Sequence, residues 1–215
     1  MSEVTPGTTG LRELKKQRTR EALSRTAVEL FLERGFDQVS VADVAAAVEV
    51  SKPTLFRYFP AKEDLALYRI ADHQGEAARV VRARAAGESP LEALRAHFHA
   101  RLDAFDPVTG LCDRPEVVAF RDMLYSTPSL VARLAHYTQD DERALEEALL
   151  DTSGTDAVTA RLAAAQIIAV HHVLARDNWR RLADGSPAGS VLPAAHEDSE
   201  RAYGLLGAGL AARGL

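Results

Sequence analysis

One nine-residue segment, residues 51–59, concentrates side chains that suit a negatively charged partner. Its sequence, SKPTLFRYF, holds three aromatic rings, two cations, two hydroxyl groups and a proline. These polar groups are too many for a buried helix. An arginine can hydrogen-bond both acceptors on the edge of guanine, and threonine and proline can contact thymine methyl groups. The segment therefore favours a surface that contacts nucleic acid, provided that neighbouring elements hold it outward.

The charge of the chain is divided unevenly, which bears on that interpretation. The 215 residues carry a net charge of −5, but residues 1–65 contain ten Lys or Arg and ten Asp or Glu. The excess negative charge thus lies in the rest of the chain. Within the first part, residues 11–25 carry six cations and two carboxylates. A basic arm precedes a neutral small domain, so a nucleic-acid face is compatible with the acidic total.

Composition restricts the class of protein. Apolar residues make up 47% of the chain and charged residues 27%, as in an ordinary globular protein with a real core. The single cysteine, Cys112, excludes an internal disulfide and a cysteine-rich zinc site. The first ten residues lack a signal-peptide pattern, and the apolar residues 162–170 are interrupted by Gln166 and too short to cross a bilayer. We expect a cytoplasmic protein with no membrane partner.

The pattern along the chain predicts an all-α fold. Alanine and leucine recur at helical spacing, and β-branched alternation is missing. A first helix is expected over residues 16–34, ending before Gly35. Ser40 and Asp43 form a capping box for a short second helix, and Ser51 caps a third, which Pro60 ends. A longer helix begins near Lys62, and five more are predicted at about 90–105, 115–126, 128–151, 155–184 and 194–213.

Two short helices joined by a tight turn and packed on a longer one describe a helix-turn-helix. In that geometry the second short helix enters the major groove of DNA. Leu55 and Phe59 lie four residues apart and can face the core together. The outer surface is then left to Lys52, Pro53, Thr54, Arg57 and Tyr58.

Residues 35–65, GFDQVSVADVAAAVEVSKPTLFRYFPAKEDL, resemble the DNA-binding domain of TetR/AcrR-family regulators. With the preceding helix the resemblance covers about 50 residues and meets several spaced constraints at once. It implies a flexible arm over residues 1–15, a helix-turn-helix domain over residues 16–65, and a helical ligand-binding and dimerisation domain over residues 66–215.

The resemblance also assigns residues to the partner, a double-stranded DNA operator. Base-facing and groove-lining positions fall on residues of the third helix, and phosphate-contacting positions on Ser40 and Lys62. The predicted DNA-binding set is Ser40, Ser51, Lys52, Pro53, Thr54, Arg57, Tyr58 and Lys62. Two residues depart from the family pattern: Phe56 replaces a common tyrosine, and Ala61 replaces the usual polar cap of the fourth helix.

The second half resembles a subgroup described as having an acyl-CoA-like ligand-binding domain. The similarity rests on the segment RALEEAL, and on Trp179 followed by LADG. It implies a small-molecule effector that is acyl-CoA-like or hydrophobic. The apolar residues 162–175 and the glycine-rich last helix predict a homodimer formed by the last two helices. The residues predicted to line the effector pocket are Phe98, Phe105, Phe120, Met123, Leu124, Tyr137, His171 and Trp179.

The leading hypothesis is a repressor that binds a palindromic operator as a dimer and is released by a small molecule. One alternative is a dimeric DNA-binding regulator with no effector, which a solid core in the second half would favour. A helical enzyme is the other, but the sequence lacks a nucleophile elbow, a glycine-rich phosphate loop and an HExxH motif. No cofactor or metal is expected, because His97 and His99 lie two residues apart and do not share a helix face.

Overall fold

The computed structural model describes the backbone of residues 7–71 and 73–210, with side chains over residues 14–71 and 73–209. Residues 1–6 of the predicted arm lie outside the described residues. Throughout the described part the elements are helical, which confirms the all-α class. The helices are α1 Gly7–Arg34, α2 Val41–Ala47, α3 Lys52–Tyr58, α4 Lys62–Ala71, α5 Glu76–Ala83, α6 Pro90–Asp103, α7 Pro115–Ser126, α8 Pro128–Ser153, α9 Ala157–Ala183 and α10 Ala188–Leu210, with a 3-10 turn at Pro107–Thr109.

Contacts divide the chain into two compact units. The first comprises the chain as far as Arg69 together with Met123–Arg133, and the second comprises Ile70–Asp122 and Leu134–Leu215. The division near residue 69 lies close to the predicted domain limit at residues 65–66. The segment Met123–Arg133 groups with the first unit, although the predicted division placed it in residues 66–215.

The core of the first unit joins α1 to the three helices that follow it. A hydrogen bond donated by Ser24 Oγ to the carbonyl of Leu65, 2.8 Å long and buried, ties α1 to α4. The rings of Phe31 and Phe36 lie 4.9 Å apart and close the end of α1. The buried side chains of this core include Leu23, Ala27, Phe31, Val44, Leu55, Phe59 and Leu65.

The second unit is built around α9, which packs with α5, α6, α8 and α10 in one apolar cluster. Nine residues of α9 are buried, and they lie on one side of the helix. By length and composition alone α9 is apolar enough to cross a membrane. The core helix of a globular domain meets the same criterion, and the buried side of α9 fits that interpretation.

Three helix limits differ from the predictions. Helix α1 begins at Gly7 rather than residue 16, because residues 11–15 are mostly good helix formers. The predicted long helix from Lys62 ends at Ala71, and Gly75, with φ +69°, precedes α5 in a left-handed conformation. Helix α10 begins at Ala188 rather than residue 194. It contains Pro193, which has no backbone N–H and so removes one hydrogen bond of the helix without ending it; its ring is exposed.

Candidate nucleic-acid interface

Local signals fix the start of α3 as predicted. The Ser51 hydroxyl accepts a hydrogen bond from the Thr54 amide at 3.2 Å, and Pro53 occupies the first turn. The two hydroxyl oxygens of Ser51 and Thr54 lie 2.8 Å apart and share a further hydrogen bond. In the preceding turn Glu49 has a φ of +55°, and the Val50 amide donates to the carbonyl of Ala45. The turn between α2 and α3 is therefore short and hydrogen-bonded.

Burial divides α3 into an inner and an outer face, as its sequence predicted. Leu55 and Phe59 are buried, and the ring of Phe59 meets Tyr68 edge to face at 5.5 Å. Thr54 and Tyr58 are half-buried at the border between the faces. The exposed residues at this helix are Ser51, Lys52, Pro53, Phe56 and Arg57. The predicted base-facing residues thus share one element.

Phe56 belongs to the outer face, although the sequence interpretation gave it no place there. Its side chain is 41% exposed. The ammonium of Lys52 lies 5.9 Å from its ring centroid, within the range of a cation–π contact. The signal for this pair was the spacing of four residues, which places Lys52 and Phe56 on the same side of a helix.

Ser40 is held in the capping box that its sequence predicts. Its hydroxyl donates to the Asp43 carboxylate at 2.6 Å and accepts from the Asp43 amide at 3.2 Å. The hydrogen bonds from the Ser40 side chain and backbone lower the pKa of Asp43. The only hydroxyl proton of Ser40 is thus directed to Asp43. A phosphate contact through this hydroxyl, which stays a prediction, would compete with the cap.

Lys62 has a role within the fold that its sequence position did not indicate. Its ammonium donates a hydrogen bond to the carbonyl of Phe36. It also lies 4.2 Å from the ring centroid of Phe36 and 5.5 Å from that of Phe31. Lys62 therefore anchors the start of α4 to the end of α1. Because an ammonium carries three donors, this anchor does not use all of them, and the predicted phosphate contact stays a prediction.

Asp64 supplies the cap that Ala61 cannot provide. One carboxylate oxygen of Asp64 accepts from the Ala61 amide at 3.1 Å, and the other accepts from Arg133 Nε at 2.7 Å. The Asp64 side chain is only 8% exposed. The start of α4 is therefore better satisfied than its sequence predicts, because Asp64 caps the Ala61 amide from three residues away. Arg133, 69 residues further along the chain, pairs with the same carboxylate.

Cations of the basic segment, residues 11–25, lie on α1. Lys15, Lys16 and Arg18 are exposed, and Arg20 is half-buried. The structure thus places the described basic residues on a helix that leads into the three-helix domain. Contact between this arm and DNA stays a prediction.

Comparison with known proteins identifies the family. A family model of bacterial regulatory proteins, tetR family, matches residues 23–68, which include α2, α3 and most of α4. The HTH-type transcriptional regulator TcmR of Streptomyces glaucescens is 34% identical over 184 residues, which cover 84% of this chain and 81% of that protein. The chain belongs to the TetR family. It is a DNA-binding transcriptional regulator with a helix-turn-helix, and not a helical enzyme.

Solved structures of TetR-like fold agree with the architecture. NalD of Pseudomonas aeruginosa, the secondary repressor of the MexAB-OprM multidrug efflux pump, is 21% identical with a TM-score of 0.56 over 86% of this chain and 97% of its own. A TetR-family regulator of Mesorhizobium loti is 13% identical with a TM-score of 0.54, covering 93% of this chain and 98% of its own. At these identities the similarity shows the fold alone.

Two of the predicted pocket residues of this TetR-family chain, Phe98 and His171, lie in one aromatic cluster with Tyr203. The ring of Phe98 stacks on His171 with centroids 5.3 Å apart, and His171 Nε2 lies 2.6 Å from the Tyr203 hydroxyl. Burial lowers the pKa of His171 to about 4. The imidazole is therefore neutral near pH 7, and it shares a hydrogen bond with the Tyr203 hydroxyl.

The remaining predicted pocket residues are dispersed. Trp179 Nε1 donates to the Asp122 carboxylate at 3.1 Å, whereas Phe105 is 37% exposed at a φ of +50°. Phe120 and Tyr137 are half-buried. Met123 and Leu124 group with the first unit, and a role for them in an effector pocket stays a prediction.

A surface groove of about 380 Å³ lies along α9 and α10. None of the eight predicted pocket residues lines it. Its lining residues are Leu174, Asp177, Arg181, Asp198, Arg201, Ala202 and Leu205. Among them, Arg181 and Arg201 form salt bridges to Asp198, 2.6 and 3.1 Å long.

A polar network at the start of α5 went unpredicted because its members are distant in sequence. The Glu76 carboxylate lies 3.0 Å from His73 Nδ1 and 2.6 Å from His97 Nε2, and it also pairs with Arg101. Burial opposes ionisation, but the three hydrogen bonds together hold the pKa of Glu76 far below its usual value. Arg101 also pairs with Asp106. Within the described ranges no group of three His, Cys, Asp or Glu is placed to hold a metal ion.

Proposed function

We propose that this protein is a cytoplasmic repressor that binds a palindromic operator as a homodimer and is released from it by a small molecule. The observation that carries the proposal is the divided helix α3. Leu55 and Phe59 are buried and anchor it in the core. Lys52, Pro53 and Arg57 are exposed on the same helix, which lies within the residues matched by the family model. Among proteins of the same fold, NalD is a repressor.

An apolar stripe on α9 supports the homodimer. Val158, Leu162 and Val173 are 65%, 56% and 59% exposed, and their spacing places them on one side of the helix, opposite its buried residues. On α10, Leu205 is 75% exposed. Exposed apolar patches of this kind mark interaction sites. Two copies related by a two-fold axis would bury the stripes in a four-helix bundle made from α9 and α10 of each.

The surface groove shares Leu205 with this apolar face. We therefore assign the groove to the subunit interface rather than to the effector. A two-fold dimer also presents two copies of α3, which matches a palindrome whose half-sites are about one helical turn or more apart. The palindromic operator thus follows from the dimer.

The effector is proposed to be hydrophobic or acyl-CoA-like and to bind at the predicted pocket residues of the second unit. Phe98, His171 and Tyr203 offer aromatic surface with a few polar groups, which is the usual composition of a small-molecule site. An effector that binds better to the state with low operator affinity shifts the population toward that state. Release from DNA is then the consequence of differential binding.

A regulator without an effector is the second candidate. It is favoured by the close stacking of Phe98 on His171 and by the absence of all eight predicted residues from the groove lining. Mass spectrometry of the purified protein separates the two candidates. A stoichiometric co-purified small molecule that lowers operator affinity when added back supports the sensor. The sensor would be contradicted if no added compound lowered operator affinity in any condition.

Operator binding is tested by footprinting the promoter upstream of the protein's own gene at low salt. A protected palindrome is expected. Arg57→Ala should weaken binding about 5- to 160-fold, because a base-facing arginine contributes about 1–3 kcal/mol. Arg143→Ala removes another exposed arginine, from α8, and should leave the affinity unchanged. No protection by the wild-type dimer would overturn the proposal.

The dimer is tested with the double substitution Leu162→Asp and Val173→Asp. Two carboxylates buried in the bundle would be desolvated without partners, so light scattering should report a monomer with unchanged helix content. Leu150→Asp, at a 37% exposed position on α8, is the control and should remain dimeric. A dimer that survives the double substitution would place the interface elsewhere.

A further inference from the structure

We propose that Phe56 reads the methyl group of a thymine in the major groove and thereby sets a thymine preference in each half-site. The inference rests on the proposed operator binding and adds a specificity-determining residue to it. It starts from the exposure of this aromatic ring on the outer face of α3.

Packing within the unit does not account for the position of Phe56. Leu55 and Phe59 are 0% and 3% exposed and provide the apolar anchor of α3, whereas Phe56 is 41% exposed. Leaving part of a large apolar side chain in water forgoes the free energy that its burial would supply. A ring at this position on a DNA-binding helix is buried when the helix enters the groove.

The neighbours of the ring define what it can contact. The Lys52 ammonium lies 5.9 Å from the ring centroid, and Pro53 is exposed three residues before it. Arg57 follows on the same exposed face. Phe56 and Pro53 thus form a small apolar patch bordered by two cations. In the major groove, thymine alone presents a methyl group, beside acceptors and phosphates that suit the cations.

The absence of a hydroxyl group on Phe56 further limits the DNA groups that its side chain can contact. A tyrosine at this position would carry a donor for a phosphate oxygen or a base acceptor. Phenylalanine has neither donor nor acceptor, so its contribution depends on apolar contact. The C5 methyl of thymine is the apolar group that the major groove offers to such a ring.

Replacement of thymine by deoxyuridine isolates this contact, because it removes the methyl group and keeps the base pairing. The probe is the duplex that the full-length wild-type protein enriches most strongly from a random-sequence library. Its thymines are replaced one at a time. At one thymine in each half-site, wild-type affinity is expected to fall about fourfold, the factor that burial of one methyl-sized group supplies. Equal binding of all thymine and uracil duplexes would overturn the inference.

Variants assign the effect to Phe56. Phe56→Ala should bind the thymine and uracil duplexes equally, and Phe56→Tyr should keep the fourfold preference. Arg57→Ala, the matched control on the same face, should weaken binding to both duplexes while preserving their ratio. Phe56→Gln provides a second ring-free variant should Phe56→Ala lose its helical circular dichroism spectrum.

The outcomes separate this inference from the function on which it rests. A thymine preference that persists in Phe56→Ala would assign the methyl contact to another residue and overturn the inference while operator binding stands. Failure of the wild-type protein to enrich any sequence would instead overturn the proposed operator binding itself.

Discussion

Replacing Gly110 by alanine is expected to lower the free energy of unfolding by about 3 kcal/mol or more. Gly110 follows the 3-10 turn with a φ of +77°, and a Cβ atom there would lie 1.9 Å from the carbonyl oxygen of Ala175 and 2.7 Å from its carbonyl carbon. The obstacle is the backbone of α9, which cannot move as a side-chain tip can. Left-handed strain and overpacking therefore add together.

Gly154→Ala is the matched control for this prediction. Gly154 has a φ of +62°, but nothing lies within 4 Å of a Cβ atom built there. Alanine at that position should cost only the left-handed strain, about 1 kcal/mol. Urea denaturation followed by circular dichroism measures both variants. Equal losses would show that the close approach of Gly110 to Ala175 contributes nothing to stability.

The second large effect is expected for Arg133→Ala, which should lower the free energy of unfolding by about 2–3 kcal/mol. Asp64 is 8% exposed, and removal of its partner leaves a buried carboxylate. The value lies below that of a fully buried pair, because Arg133 is 38% exposed and the Ala61 amide still donates to Asp64. Thermal denaturation at neutral pH provides the measurement.

Two further variants control for charge loss and for the pairing itself. Arg143→Ala breaks an exposed pair with Asp140 and should change stability by less than about 0.5 kcal/mol. Asp64→Asn combined with Arg133→Ala should recover part of the loss, because it removes the buried charge. A loss in Arg133→Ala no larger than that in Arg143→Ala would contradict the prediction.

The helix-turn-helix was predictable because its determinants are local. Ser40 with Asp43, Ser51 with Thr54, and Pro53 in a first turn each fix a helix start within four residues. The alternation between buried Leu55 and Phe59 and the exposed cations also follows from helical spacing alone. The sequence predicted these features correctly, whereas the DNA contacts of the site residues stay a prediction.

Contacts between distant residues account for what was missed. Asp64, the cap of α4, pairs with Arg133, Lys62 is anchored on the Phe36 carbonyl, and Gly110 lies close to α9. None of these partners is indicated by local spacing. The pocket prediction rested on aromatic residues of several helices, and helical periodicity cannot specify which of them meet in space.

The exposed stripe on α9 has a consequence for the dose response of the regulated promoter. If only paired stripes bring two copies of α3 onto one palindrome, promoter occupancy rises with the square of protein concentration wherever monomers predominate. Val158, Leu162 and Val173 would then set a concentration threshold for regulation of the gene. Substitutions in the stripe would shift that threshold without altering the base sequence that is recognised.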